Sequence, residues 1–566
     1  MTDPLADTPL LQHENQESVE ENRNVDHPLV PTATATTTGT SLSRRTTRED
    51  MASIEGEDFI AMDTELGEAL AGVPSHSGQP KLGVTSAIFL ILNKMIGTGI
   101  FSTPSGVFLA VGSVGWSIMI WVIGGILSLT GLSVFLEFGL AIPKNGGEKN
   151  YLERVYRKPK YLITCIFLGQ MILLGFSAGN SLAFGRYLLF AAGVDFPSER
   201  ASRIVAVLCI TGVVLIHGLH PSAGTALFNG LGIFKVFLLI VVVIVGVFAV
   251  FGWLPIEDPG NFEDMFSNAG FGGGAYNYAT GLLRVVYSYR GWENANYVLS
   301  ELENPRRTLA VAAPLAIGGV TILYVLANVA YFAVIPKVEI AHSGVIVAGL
   351  FFRRVFGDSA GARLLPFFVA LSNLGNVLVV SFAHARVNCE FGKEGILPYS
   401  KFFATVNWVG APVAGLFLHW IVTCLVLTVP PAGEAYEFII DLNTYPSAWI
   451  NALVAGGLVY LQYSKKEQWS SPFRSYLPIT LAYLFSNFFL MYLPLVKPPG
   501  TNSHPGITIA IFGMGCLAMG AVYWVVWSKI MPWLGNYEIV DERTQDADGN
   551  ENIKYVRVPK EGALEI

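Results

Sequence analysis

Met95-Ile96-Gly97-Thr98-Gly99-Ile100-Phe101, with Pro104 close behind, interrupts an apolar run that extends from about 83 to 110. A run of that length crosses the ~30 Å of bilayer hydrocarbon as a helix. Its glycines fall at mid-depth. Glycine relaxes the backbone and lays no side chain over it, so amide and carbonyl groups lie bare. In hydrocarbon such groups are costly unless they face a cavity or a ligand. A second interruption, Tyr287-Ser288-Tyr289-Arg290-Gly291-Trp292, sits inside the run 276–300. Two breaks at matching depth offer N–H and C=O groups together, a combination that holds a carboxylate and an ammonium at once. Close helix packing alone explains one glycine pair, but not two breaks in register.

Around these breaks the apolar runs recur. Twelve are legible, at about 83–110, 113–142, 160–192, 202–220, 228–254, 276–300, 309–335, 361–390, 409–430, 436–463, 474–496 and 506–530. They are continuous rather than alternating, and an open sheet edge cannot sit in lipid, so an all-α membrane protein of twelve transmembrane helices is expected. Breaks in the first and sixth runs are the first members of two successive groups of five. An inverted 5+5 repeat predicts that spacing and puts the site at the repeat interface.

Composition agrees. Of 566 residues 52% are hydrophobic and only 14% charged, against about a quarter charged in a soluble chain. An ordinary soluble enzyme, a nucleic-acid binder and a disordered scaffold are excluded. Residues 1–80 hold fifteen acids against four arginines, and the end from Lys529 holds eight acids against five bases. The organisation expected is a disordered, acidic cytosolic tail over 1–80, a transmembrane domain over 81–530 and a cytosolic tail over 531–566. Phe59–Leu70 is mildly amphipathic, a candidate for docking on the membrane domain. The loops after runs 2, 6, 8 and 10 carry fourteen lysines and arginines against eight on the opposite side. This places them, and both termini, in the cytosol. The five cysteines lie in apolar runs without paired spacing, and read as small buried hydrophobes rather than zinc or disulfide positions. His217 and His220 flank a short turn with no third ligand, so no metal site or catalytic cluster is expected.

Several further motifs point to a family. Ile96-Gly-Thr-Gly-Ile-Phe101, Gly146-Gly147-Glu148, Gly291-Trp292 with Ser300-Glu-Leu-Glu-Asn-Pro305, and Gly392-Lys-Glu-Gly-Ile-Leu-Pro398 resemble the L-type branch of the amino acid–polyamine–organocation transporters across 81–530. Ala330-Tyr-Phe-Ala-Val-Ile-Pro336, Leu374-Gly-Asn-Val-Leu378, Pro430-Pro-Ala-Gly-Glu-Ala-Tyr436 and Val522-Tyr-Trp-Val-Val-Trp527 narrow the resemblance to the fungal high-affinity methionine permeases.

The resemblance implies a fold like that of the leucine transporter, a 5+5 repeat with two further helices, and alternating access. It implies a plasma-membrane permease importing a neutral amino acid, methionine foremost, by proton symport without any other cofactor. Cysteine, another large neutral amino acid or a polyamine remain open as substrates, as does a sensor with little transport. The carboxylate is expected at Gly97, Thr98 and Gly99, with Ile96 and Ile100 beside them. The ammonium is expected at carbonyls near Ile96 and at Tyr287, Ser288, Tyr289 and Arg290, with Tyr287 as the gate. Lys235 stands where sodium-driven relatives bind an ion between helices 1, 5 and 8; in coupling its ammonium is expected to stand in for that cation or to load and release the proton itself. A lysine at mid-membrane costs at least about 3 kcal/mol, so it is usually buried for a reason; snorkelling is the competing reading.

Lys94 and Arg290 depart from the family's small residues. Lys94 is expected to pair with Glu301 or Glu137 and to serve coupling. Arg290 either pairs with Glu293 at i, i+3 or reaches a second anionic group on the substrate. Residues 193–201 lack the cysteine through which animal relatives hold a heavy chain, so no such partner is expected. Ubiquitin-ligase adaptors on the tails are implied by the family, although residues 1–80 contain no lysine.

Overall fold

A computed structural model of the protein describes residues 83–143, 146–194, 197–297, 299, 302, 304–357, 360–429, 435–496, 505–545 and 551–560. The acidic stretch 1–80, the amphipathic piece Phe59–Leu70 and Glu301 lie outside the described residues. The chain runs through α1 (Val84–Met95), α2 (Thr98–Ser102), α3 (Pro104–Val111), α4 (Val114–Ala141), α5 (Glu148–Val155), α6 (Leu162–Leu173), α7 (Ala178–Ala191), α8 (Glu199–Leu219) and α9 (Pro221–Val250). It continues through α10 (Ala275–Ser288), a 3₁₀ turn at Trp292–Tyr297, α11 (Pro305–Val334), α12 (Lys337–His342), α13 (Val347–Phe356), α14 (Ala360–Lys393) and α15 (Ser400–Ala404). Then come α16 (Val413–Thr428), α17 (Ala435–Tyr463), α18 (Leu477–Tyr492), α19 (Pro505–Val525), α20 (Met531–Leu534) and two strands, β1 (Tyr537–Gln545) and β2 (Glu551–Pro559).

Among the described residues seven helical stretches are long and apolar enough to cross a membrane, and eight when the bent pair at the start counts as one. Exposed Leu, Ile, Val and Phe side chains such as Leu208, Ile233, Phe237, Leu315 and Ile322 coat their outer faces, as a lipid-facing surface requires. The first run is broken. α1 stops at Met95, and the helices on either side of Thr103 are bent by 53°. The sixth is broken after Ser288, where the chain turns at Gly291 with φ 121°. The run 160–192 holds a third break, between Leu173 and Ala178, which the sequence reading takes as one continuous helix.

The core is aromatic at its centre. Trp121, Tyr289 and Tyr324 are fully buried, with the Tyr289 and Tyr324 rings 5.1 Å apart and Trp121 edge-on to Tyr324 at 5.7 Å. Each tyrosine also finds a carbonyl: Tyr289 Oη donates to Trp121 O at 3.0 Å and Tyr324 Oη to Met95 O at 2.8 Å. Buried aromatics with a satisfied polar end are stable in a dry core.

The all-α expectation fails at the C-terminal end. Tyr537–Gln545 and Glu551–Pro559 pair as an antiparallel hairpin in register Tyr537↔Pro559 to Gln545↔Glu551. Ile539, Ile553 and Tyr555 supply an apolar face between charged neighbours. The hairpin packs on the loop 156–161: Tyr161, Trp527 and Tyr555 form a ring cluster with centroids 5.1–5.8 Å apart. Tyr161 Oη donates to Ile539 O at 3.2 Å, and Tyr555 N donates to Glu394 O at 2.8 Å.

Beneath the hairpin, Lys149 meets Glu394 at 2.6 Å and Glu153 at 3.6 Å. Burial works against the Lys149 charge, but the two carboxylates outweigh it and hold the ammonium above its usual range. Burial dominates at Glu394 and, against the pull of Lys149, pushes its carboxyl up to about 7.

Candidate functional site

The three breaks meet around one cavity of about 190 Å³. Gly97, Thr98 and Gly99 form one wall, Tyr287, Ser288 and Arg290 a second, and Leu174, Gly175 and Phe176 a third. Gly99 makes this meeting possible, because a Cβ there would lie 2.6 Å from both Cα and Cβ of Ser288. No side chain fits such a gap without moving the two breaks apart.

The bare backbone at the first break is held from four sides. Lys235 Nζ donates to Asn93 O at 2.7 Å, Asn376 Nδ2 to Lys94 O at 3.1 Å, and Tyr324 Oη to Met95 O at 2.8 Å. The amide N–H of Thr98 donates to Asn180 Oδ1 at 3.3 Å. The side chains come from α9, α14, α11 and α7. These are the partners that an interrupted helix needs in a dry interior. A small solute entering the cavity meets amides and carbonyls already fixed in place.

Most of the sequence-predicted residues come together here. Lys94, Gly97, Thr98, Gly99, Tyr287, Ser288 and Arg290 line the cavity. Tyr287 Oη lies 3.5 Å from Thr98 Oγ1, across the space between the two breaks. Three of the residues expected at the substrate do not line it. Ile96 and Ile100 are fully buried in the core, and Tyr289 turns away to Trp121 because one residue along a helical end rotates the side chain by about 100°. Lys235 is also outside the lining; it sits fully buried behind the break, between α1, α9 and α14, with Gly375 against its ammonium.

Arg290 is directed at α17. It donates to Asn443 O at 2.9 Å, to Asn443 Oδ1, and to Ser447 Oγ at 2.9 Å. Glu293 accepts the N–H of Gly291 at 2.9 Å, capping the second break instead of pairing with Arg290 at i, i+3. The carboxylate that faces Lys94 is this same Glu293. Glu137 is engaged elsewhere, accepting from Gln462, Trp469 and the Ser475 amide at 2.7–2.8 Å.

Gln170, Asn180, Asn376, His384, Asn443 and Ser447 also line the cavity, none of them expected from the sequence. Isolated amide and imidazole side chains inside apolar runs are the signal that marks them. Trp292 packs edge-on to Phe135 at 4.9 Å, and both rings line the cavity, as do Tyr287 and Thr98. All five cysteines are free thiols, and among the described residues no group of His, Cys, Asp and Glu is arranged for a metal.

Comparison with known proteins places the chain in a family of membrane transporters. Residues 82–517 match the family described as amino acid permease. The high-affinity methionine permease of Saccharomyces cerevisiae is 36% identical, with 91% of each chain covered. The low-affinity methionine permease of the same yeast is 30% identical over 88% of this chain and 93% of its own. The human cystine/glutamate transporter is 29% identical over 82% of this chain and 88% of its own.

Proposed function

We propose that this chain, which belongs to the amino acid permease family, imports methionine across the plasma membrane by proton symport. It is a membrane transporter and not an enzyme. The observation that carries the reading is the meeting of two broken helices at one small cavity, where Gly97–Gly99 face Tyr287–Ser288. Backbone N–H groups of Gly97, Thr98 and Gly99 take the substrate carboxylate, and carbonyls at the two breaks take its ammonium. Both charged groups are met by fixed dipoles, which cost nothing to reorganise when the solute arrives. The thioether lies among Phe176, Tyr287, Ile439 and Tyr483, where sulfur–ring contacts are favourable.

Each of the twelve apolar runs holds a helix among its described residues, which supports twelve crossings in a leucine-transporter-like 5+5 repeat plus two. The basic loops and both tails then face the cytosol, with the hairpin on that side. Tyr287 over Thr98 is the outer gate and Trp292 against Phe135 the inner one. Lys235 serves coupling as a fixed cation: it ties Asn93 of α1 to α9, so the inner half of the first span cannot swing without breaking that bond. Lys94, between Glu293 and Arg290, carries the charge that the inner gate closes upon.

Uptake of radiolabelled methionine by cells lacking their own permeases, competed with a panel of amino acids and polyamines, tests the substrate. Saturable uptake displaced by methionine and little else supports the reading. Displacement by a polyamine or by cystine, with methionine inert, overturns it.

A further inference from the structure

The third break, between α6 and α7, supplies Phe176 to the solute space, and the backbone around it is tied down by other helices. Asn443 Nδ2 donates to Leu174 O at 3.1 Å, and Ser177 N donates to Thr423 Oγ1 at 3.3 Å, so the unwound segment is tied to α17 and α16. Against it stand two stacked imidazoles, His384 of α14 and His419 of α16, with centroids 5.6 Å apart and planes 20° from parallel. His384 lines the cavity, while His419 is buried with Nε2 2.9 Å from Ser177 Oγ. Gly175 leaves the room for this, since a Cβ there would collide with His384 Nδ1.

We propose that the His384–His419 pair carries the proton that crosses with the amino acid, a proposal that rests on the symport reading above. Nδ1 of each ring makes no hydrogen bond in this conformation, yet the Met171 and Gly175 carbonyls face the two rings. Two neutral imidazoles offer two N–H donors, and a singly protonated pair offers three. Ser177 Oγ and those two carbonyls are three acceptors. The break thus provides one acceptor more than the neutral pair uses, and the third is for the carried proton.

The charged and titratable groups facing the pair are Lys94 from α1, Arg290 just past α10, and His217 from α8. Glu293 lines the same cavity. A substrate carboxylate entering the cavity adds a negative charge to this largely cationic set, and a proton on His384 is its electrostatic complement. Binding of the amino acid and of the proton is thereby linked. His384 reaches the cavity where Lys235 does not. The balance is simple. One H⁺ from the outer solution adds to an imidazole lone pair as the amino acid binds, and leaves as H⁺ to the cytosol when the amino acid departs; no bond of the substrate changes.

The test uses the full chain in proteoliposomes with radiolabelled L-methionine and a trapped pH-sensitive dye. For one proton per solute, wild-type accumulation rises about tenfold per unit of imposed pH gradient. His384→Gln and His419→Gln are each expected to lose that dependence, with an accumulation ratio near one at every gradient. Methionine–methionine exchange, which needs no net proton movement, stays measurable and reports folded protein. Variants that keep the tenfold rise and the dye signal overturn the proposal while leaving symport intact. A wild type that moves methionine without protons overturns the symport reading and this proposal with it. A second measurement needs no variant: infrared difference spectra of ¹⁵N-histidine-labelled wild-type protein, with and without methionine. An isotope-sensitive change in ring bands on binding supports the carrier, and spectra without one contradict it.

Discussion

Replacing Gly99 by alanine tests how closely the two breaks must approach. The added Cβ would lie 2.6 Å from Ser288 Cα and Cβ and 2.9 Å from its Oγ, about 1 Å inside ordinary contact. All three atoms belong to Ser288, whose Oγ donates to Arg284 O at 2.9 Å, so neither side yields freely. Overpacking of this kind typically costs about 1–3 kcal/mol. If it falls on the substrate-binding geometry, KM rises between about 5-fold and 150-fold. Initial rates of methionine uptake, normalised to surface protein, measure it. The double variant Gly99→Ala with Ser288→Gly removes two of the three clashing atoms and should recover part of the loss, a coupling that a double-mutant cycle isolates. A Gly99→Ala protein with wild-type KM, or a double variant no better than the single one, refutes close approach of the breaks as the basis of binding.

Three further outcomes are expected. Asn180→Ala frees the Thr98 amide, now held by a side-chain acceptor, for the substrate carboxylate; removing a competing hydrogen bond of about 1 kcal/mol predicts a roughly fivefold fall in KM, read by uptake kinetics. Tyr287→Phe keeps the ring over Thr98 and should transport at a rate near wild type, whereas Tyr287→Ala opens the gate and should raise KM at least tenfold in the same assay. At the hairpin, Glu394 has its carboxyl raised from an ordinary 4.5 to about 7, so the folded state binds the extra proton. Its contribution to stability therefore weakens as pH rises from about 4.5 to about 7. Melting in detergent between pH 4.5 and 7.5 should show that slope, and Glu394→Gln should flatten it.

Much of the fold and the two principal breaks were legible, because glycine clusters stand out within long apolar runs. The partners of those breaks were not. Asn180, Asn376 and Asn443 are single amides on other helices, and only the tertiary fold shows that they reach the exposed backbone. The third break escaped because Gly175 alone marks it; the unwound carbonyls are compensated by side chains far along the chain. Tyr287 and Tyr289 are near-identical in sequence context, yet one faces the cavity and the other Trp121, a difference set by where α10 ends. Arg290 and Glu293 sit at pairing distance in sequence, but the turn at Gly291 directs them to different partners. The hairpin was hidden by its charge: Tyr537–Gln545 alternates weakly, and its apolar residues find burial only against Tyr161 and Trp527.

The most direct test of the central claim is a cryo-electron-microscopy map of the full chain with saturating L-methionine. Solute density is expected to bridge Gly97–Gly99 and Tyr287–Arg290, with the carboxylate on the first and the ammonium within reach of carbonyls on both. Methionine seated elsewhere, or first and sixth spans running as unbroken helices past these residues, would contradict it.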